Sequence, residues 1–272
     1  MSTKNKPAKA YNNKEFLNSA DARTLRILSE YIDPESRFKR LKITDTVVFF
    51  GSARFISSKE AGYESDKLKD ERIFSDEKFP KKLRHAQKMS EMSRYYDEAV
   101  ELSEKLSKFM KSISTNDRKF VVCTGGGPGI MEAANKGAYN AGYLNAGLGI
   151  SLPFEQGVNK YISPELALEF HYFFMRKFWL AYMAKAAVIF PGGFGTMDEL
   201  FEILTLVQTK KMNKRMLIIL YGEKFWKELI NFDKFVEAGV ISEEDLDLFC
   251  FCNTPDEAFE KLQHYLIRLI KD

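Results

Sequence analysis

The chain has 272 residues, 45% hydrophobic and 29% charged, a globular composition that argues against global disorder. Its net charge of +3 is too small to single out nucleic acid or a membrane surface as a partner. The charge is uneven, since residues 1–45 hold ten Lys and Arg against six Asp and Glu. Cys123, Cys250 and Cys252 are too few for a disulfide framework, and Cys250-Phe251-Cys252 lacks zinc spacing. With only three His besides, no metal site is expected, and the cysteines read as buried residues of a reducing, cytoplasmic protein. The longest uncharged stretch, residues 137–154, carries Asn, Ser, Pro and Gly and is no membrane span; the N-terminus has no apolar core for a secretory signal.

Residues 1–14 are polar and predict a disordered tail. Phe16, Leu17, Leu25, Ile27, Leu28, Tyr31 and Ile32 then recur at helical spacing, with Ser19 or Asp21 as cap and Pro34 as stop. Residues 46–50 (TVVFF) predict a buried strand ending at Gly51. A charged insert follows at about 55–84, read as a loop or a partly helical flap. Residues 85–111 predict one long helix. Next come a strand at 120–123, a helix at 130–140, strands at 148–152 and 168–173, and a helix through Arg176, Trp179 and Met183. A strand at 186–190, a helix at 197–210, a strand at 216–220, a helix at 224–238, a strand at 248–251 and a helix from Pro255 complete the chain. Apolar strands alternating with helices predict an α/β fold: a doubly wound, mostly parallel, Rossmann-like sheet with helices on both faces and an extra N-terminal helix. Residues 1–45 form the tail and first helix, and 46–272 a single Rossmann-like domain carrying the charged insert.

In such sheets ligands bind beyond the carboxyl ends of the strands, and three of these ends are unusual. Gly51-Ser52-Ala53-Arg54 offers a hydroxyl and a guanidinium, although alone it reads as a turn with a surface Arg. Thr124-Gly125-Gly126-Gly127-Pro128-Gly129-Ile130-Met131 has four Gly in five positions before a helix N-terminus, which suits an anion or nucleotide. It is neither a Walker A loop nor GxGxxG. Pro191-Gly192-Gly193-Phe194-Gly195-Thr196-Met197-Asp198-Glu199 places backbone N–H donors and the Thr196 hydroxyl where a phosphate fits. Thr196 and Glu199 also match a capping box, a structural role at least as well supported by the spacing as a catalytic one. Arg176 and Lys177 are two cations in an otherwise aromatic and apolar stretch and are read as flanking a cleft; His85 and His171 are read as structural or surface.

The loop VCTGGGPGIMEAANKGA, the stretch FMRKF and the run VIFPGGFGTMDEL together resemble the LONELY GUY (LOG) family. These are cytokinin riboside 5′-monophosphate phosphoribohydrolases, long mislabelled as lysine decarboxylases. The hallmark Pro-Gly-Gly-x-Gly-Thr-x-x-Glu stands at residues 191–199, Arg176-Lys177 matches the upstream Arg-Lys element, and Met175 directly precedes it. The resemblance covers about residues 46–240 and departs at the charged insert and after Thr254.

The resemblance implies hydrolysis of the N-glycosidic bond of AMP or an N6-substituted AMP to free base and ribose 5-phosphate, without cofactor or metal. It implies Arg176 and Glu199 as catalytic residues. It implies Gly51, Ser52, Arg54, Gly125, Gly126, Gly127, Gly129, Met131, Met175, Lys177, Pro191, Gly192, Gly193, Gly195 and Thr196 as substrate-binding. Arg176 either orients Glu199 or contacts substrate directly. The chemistry agrees, because an oxocarbenium-like transition state needs a carboxylate to stabilise it or activate water. A homo-oligomer, a dimer or multiple of dimers, is expected, with a small-molecule nucleotide as ligand and neither nucleic acid nor membrane as partner. The rival reading is a nucleotide sensor or molybdenum-cofactor carrier, which needs the Gly loops but not both Arg176 and Glu199. A pyridoxal-phosphate decarboxylase would need Lys177 or Lys185 as its Schiff-base lysine, and neither has a recognisable environment for it.

Overall fold

The apolar runs become seven strands: β1 Ile43–Phe50, β2 Lys119–Thr124, β3 Asn145–Ile150, β4 Ala167–Phe170, β5 Ala184–Ile189, β6 Leu217–Tyr221 and β7 Cys250–Cys252. The structure is a computed structural model that describes residues 7–70, 79–151, 157–212 and 216–271. The helices are α1 Lys14–Asn18, α2 Arg23–Arg40, α3 Ser58–Asp70, α4 Phe79–Met92, α5 Arg94–Ile113, α6 Ile130–Asn140, α7 Phe173–Tyr182, α8 Phe194–Gln208, α9 Glu223–Leu229, α10 Phe232–Glu237 and α11 Pro255–Lys271. The strands form one sheet in the order β4-β3-β2-β1-β5-β6-β7, every neighbouring pair parallel. Parallel neighbours require crossovers, and the crossover helices bury both faces. Val48 and Phe50 of β1 join a core with α2, α7 and α8; Val47 and Phe49 face the opposite core with α5, α6 and α11. This is the expected doubly wound fold. Its strand order reverses between β1 and β5, the switch point where such sheets bind ligands. Among the described residues no helix is long and apolar enough to cross a membrane.

Several boundaries differ from expectation. Pro34 does not stop the first helix; it lies inside α2. Proline has no N–H for the carbonyl four residues earlier, and that carbonyl, Glu30 O, accepts instead from Trp179 Nε1 of α7 at 3.1 Å. A tertiary bond thus fills the gap in the helical ladder. The helix expected at 85–111 divides at Ser93, whose hydroxyl bonds Ser90 O and Ser58 Oγ. The insert is helical from Ser58 where described, as α3 and the start of α4, with residues 71–78 outside the described residues. The helix expected at 224–238 is two, because Asn231 caps a new start by accepting from Lys234 N. Of the expected tail, residues 1–6 lie outside the described residues, whereas Ala10–Asn12 form a 3-10 turn and α1 begins at Lys14. The third strand ends at Ile150; Leu152 of its expected span lies outside the described residues.

Three strand ends are tied together at the switch point. Ser52 N donates to Pro191 O at 3.0 Å, joining the ends of β1 and β5. Ile130 N donates to Ser52 O at 3.0 Å, joining β1 to the start of α6. This approach requires glycine at 129: its φ is +69°, and a Cβ there would strike Ser52 O and stand 2.7 Å from Ala53 C. Gly129→Ala is expected to lower stability by about 2–3 kcal/mol, combining a left-handed backbone with overpacking. Denaturant unfolding measures it; a loss within about 0.5 kcal/mol, the range of a neutral surface change, would show that the loop has room.

Candidate active site

The two Gly-rich loops and the Arg176–Glu199 pair meet at one edge of the sheet. Arg176 extends from the first half of α7, a helix that carries no acidic residue in its first turn. Its N-terminus is capped from outside, by Glu30 of α2. The Glu30 carboxylate accepts from His171 N at 2.8 Å and Tyr172 N at 3.2 Å, where a negative charge is favourable. With Glu30 O on Trp179 and Tyr31 packed against Trp179 and Phe178, α2 holds α7 at both ends.

Glu199 lies on α8. The helix starts at Phe194 with Gly193 as N-cap, so Thr196 and Glu199 do not form the expected capping box. Thr196 sits inside the first turn, and Glu199 lies beyond it. Instead of capping, the buried Glu199 side chain faces Arg176, with Nη2 to Oε1 at 3.4 Å. Burial pushes its carboxyl up to about 7, against the opposing pull of Arg176 and Lys177. A carboxyl that titrates near pH 7 beside a guanidinium has the range that proton transfer at physiological pH requires. The capping-box pattern is real elsewhere: Ser242 and Asp245 form one.

Arg176 also reaches the other loop. Its Nη1 would stand 3.2 Å from a Cβ on Gly125, and Met131 Sδ 2.9 Å, so only glycine admits both side chains at 125. Arg176 Nε is buried without a hydrogen-bond partner among the described residues, and the guanidinium lies 5.2 Å from the Phe173 ring. On the facing side, α8 opens with no capping side chain and no acidic residue in its first turn. Gly193 and Gly195 border open space, and the Thr196 hydroxyl packs against Gly192 where a Cβ would sit. This is an uncapped helix N-terminus suited to an anion.

The structure therefore brings together Gly51, Ser52, Gly125, Gly126, Gly127, Gly129, Met131, Pro191, Gly192, Gly193, Gly195 and Thr196 around Arg176 and Glu199. Three expected binding residues stand differently. Met175 is buried in the core beneath α7. Lys177 bridges α7 to α8 through Asp198 at 2.7 Å and Glu202 at 3.1 Å. Arg54 is exposed, with its backbone N on Ser52 Oγ. Lys185 lies at the start of β5, paired with Asp45 at 3.4 Å. The residues weighed for pyridoxal phosphate thus do not fit it: Lys177 is held by two carboxylates and Lys185 stands at the opposite sheet edge.

Sequence reasoning missed the groups that brace the first loop. Thr124 Oγ1 donates to Asn135 Oδ1 at 2.7 Å and accepts from Gly126 N at 2.9 Å. Asn135 Nδ2 donates to Asn145 Oδ1 and Ala146 O. Asn159 Nδ2 lies 3.1 Å from both Gly126 O and Gly127 O and 2.9 Å from Asn135 Oδ1. An amide triad of this kind, with Asn135 and Asn145 buried and Asn159 half-buried, has no short-range signal; only the polar type of Asn135 amid apolar helix positions hints at it. Glu30, 142 residues from Tyr172, was equally hidden.

Comparison with known proteins bears on this site. The family model described as "Possible lysine decarboxylase" matches residues 131–262, from the start of α6 into α11. A probable cytokinin riboside 5′-monophosphate phosphoribohydrolase of Oryza sativa subsp. japonica is 28% identical over 174 residues, 63% of this chain and 65% of that one. A cytokinin riboside 5′-monophosphate phosphoribohydrolase of Arabidopsis thaliana is 27% identical over 176 residues, 64% of this chain and 76% of that one. The chain thus spans just under two thirds of the rice relative. Among solved structures, the molybdenum cofactor carrier protein of Chlamydomonas reinhardtii is 15% identical with a TM-score of 0.47, covering 82% of this chain and 99% of that one.

The raised Glu199 pKa sets a pH dependence. A carboxyl that holds its proton more tightly folded than unfolded favours the fold below its unfolded pKa, near 4.5, and this contribution is lost as pH rises through about 7. Glu199→Gln removes the titration. The wild type is therefore expected to lose stability relative to Glu199→Gln between about pH 5 and pH 8, read from denaturant midpoints. A constant difference across that range would place the Glu199 pKa elsewhere.

Proposed function

We propose that this protein, whose residues 131–262 match the family model described as "Possible lysine decarboxylase", hydrolyses the N-glycosidic bond of a nucleoside 5′-monophosphate. The substrate class is AMP or an N6-substituted AMP, and water yields free base and ribose 5-phosphate. The observation that carries this reading is the buried Arg176–Glu199 pair beside both Gly-rich loops. A nucleotide binder needs the loops alone; a buried carboxyl raised to about 7 and facing a guanidinium adds chemistry.

The steps follow from the groups present. The 5′-phosphate binds at the uncapped N-terminus of α8, taking N–H donors of its first turn and the Thr196 hydroxyl. This anchoring, remote from the reacting bond, sets the anomeric carbon beside Glu199. As the base departs with its bonding electrons, positive charge develops on the ribose and the Glu199 carboxylate stabilises it; Glu199 takes a proton from the attacking water as its oxygen bonds the anomeric carbon, and that proton passes to the departing base, restoring the carboxylate. Arg176 holds the carboxylate through Nη2 and orients it toward the developing charge.

The protein acts as a homo-oligomer in this reading. Phe174, Phe178 and Tyr182 of α7 and Phe201 of α8 are exposed, and Phe194, beside the phosphate loop, is 96% exposed. Phe178 and Tyr182 stack at 5.0 Å, so this apolar surface is continuous along α7. A patch of this kind marks an association surface, and a second copy related by a two-fold axis covers it on both subunits.

Incubation with a panel of nucleoside 5′-monophosphates, separating free base from nucleotide, tests the activity. Wild type is expected to release base from AMP or N6-substituted AMP. Glu199→Ala and Arg176→Ala are each expected to lose about 100-fold or more in kcat, as for removal of a catalytic acid–base group. Turnover retained in both variants would sink the assignment; tight binding without turnover across the panel would favour a sensor or carrier. Light scattering on the eluting protein should give a dimer or a multiple of it, and a strict monomer would contradict the association.

A further inference from the structure

The 125–129 loop carries both donors and acceptors, and its polarity decides what it binds. Free carbonyl oxygens facing the cleft would repel an anion; free N–H groups would attract one. Asn159 resolves this. Its backbone N donates to Gly126 O at 2.8 Å, and its Nδ2 lies 3.1 Å from both Gly126 O and Gly127 O. Its own Oδ1 accepts from Tyr161 N at 3.2 Å, which fixes the amide orientation. Asn135, bonded to Thr124 and Asn145, holds Asn159 from below. The carbonyl oxygens of residues 126 and 127 are thus both occupied from one side. In a trans peptide the N–H points opposite to the carbonyl, so the Gly127 N–H turns away from Asn159, and it has no acceptor among the described residues.

We propose that Asn159 is a positioning residue of the nucleotide site. By occupying the two loop carbonyls it aims the Gly127 amide at an oxygen of the ribose 5-phosphate moiety. It contacts the loop and not the substrate, and acts through Gly126 and Gly127. The proposal rests on the phosphoribohydrolase reading for the identity of the ligand, and on the loop geometry for the rest.

Asn159→Asp is the decisive variant. It is isosteric and keeps the acceptor for Tyr161 N, but it loses the donor and sets a carboxylate against two carbonyl oxygens. Asn159→Ala removes the clamp without that repulsion. Calorimetric binding of ribose 5-phosphate and of adenine is measured on wild type and both variants, with the denaturant midpoint as a check on folding. Ribose 5-phosphate is expected to bind about tenfold more weakly to Asn159→Ala and more weakly still to Asn159→Asp, the loss of about one oriented hydrogen bond or more. Adenine affinity should stay unchanged, and in turnover KM for the nucleotide should rise with kcat held within about threefold, as for lost ground-state binding. Unchanged ribose 5-phosphate affinity in Asn159→Asp would overturn the proposal. So would equal losses for ribose 5-phosphate and adenine, which would show a merely structural role. Ribose 5-phosphate bound by a wild type that turns over no nucleotide would defeat the enzymatic reading while the variant comparison still tested the clamp.

Discussion

Much of this molecule depends on the backbone of one residue, Ser52. Its N–H holds the end of β5 through Pro191, and its carbonyl holds the start of α6 through Ile130. In a doubly wound sheet the strand order reverses once, and there the two crossovers diverge to opposite faces, leaving a crevice. Here the reversal falls between β1 and β5. Bonds through Ser52 keep the crevice from widening, while the glycines on either side keep it from filling. The α6 and α8 N-termini and the Arg176–Glu199 pair are held near one another because three chain segments are tied at that one residue.

The second constraint is electrostatic. Glu199 is 6% exposed, and its nearest cation, Arg176, stands at 3.4 Å, long for a strong ion pair. Burial dominates over the attraction, and the carboxyl stays near neutrality in its titration. A fold selected for stability alone would shorten that contact or replace both residues by apolar ones. The pair is only partly compensated, since Arg176 Nε is buried with no hydrogen-bond partner among the described residues. Lys177, one residue on, shows the alternative: two carboxylates satisfy it, and it serves as a strut between α7 and α8.

Features carried by local chemistry were legible in the sequence. The buried strands read as apolar runs, the loops as glycine clusters at strand ends, Arg176 as a charge out of place in apolar surroundings, and Glu199 as the carboxylate that closes the second Gly-rich motif. The start of α8 was misread because Thr196 and Glu199 have the spacing of a cap, and spacing cannot tell which residue begins the helix. Pro34 was misread as a stop because its cost assumes an orphaned carbonyl, and here Trp179 satisfies that carbonyl. Asn159 and Glu30 escaped notice for the same reason: each acts on backbone groups far along the chain, at positions 126, 127, 171 and 172. Side chains that serve distant peptide groups carry no periodicity and form no motif.

The bond from Glu30 to the start of α7 also bears on the order of assembly. Local helices form early, whereas a contact across 142 residues must first meet the entropy of closing a long loop. During synthesis α2 is complete long before α7 exists, so Tyr31 waits without Trp179 and Phe178 to pack on. Only when residues 171–182 have been made does the carboxylate of Glu30 find its two amides and settle the helix that carries Arg176. The geometry of the site is thus a late product of folding, complete when one of the chain's first helices meets its seventh.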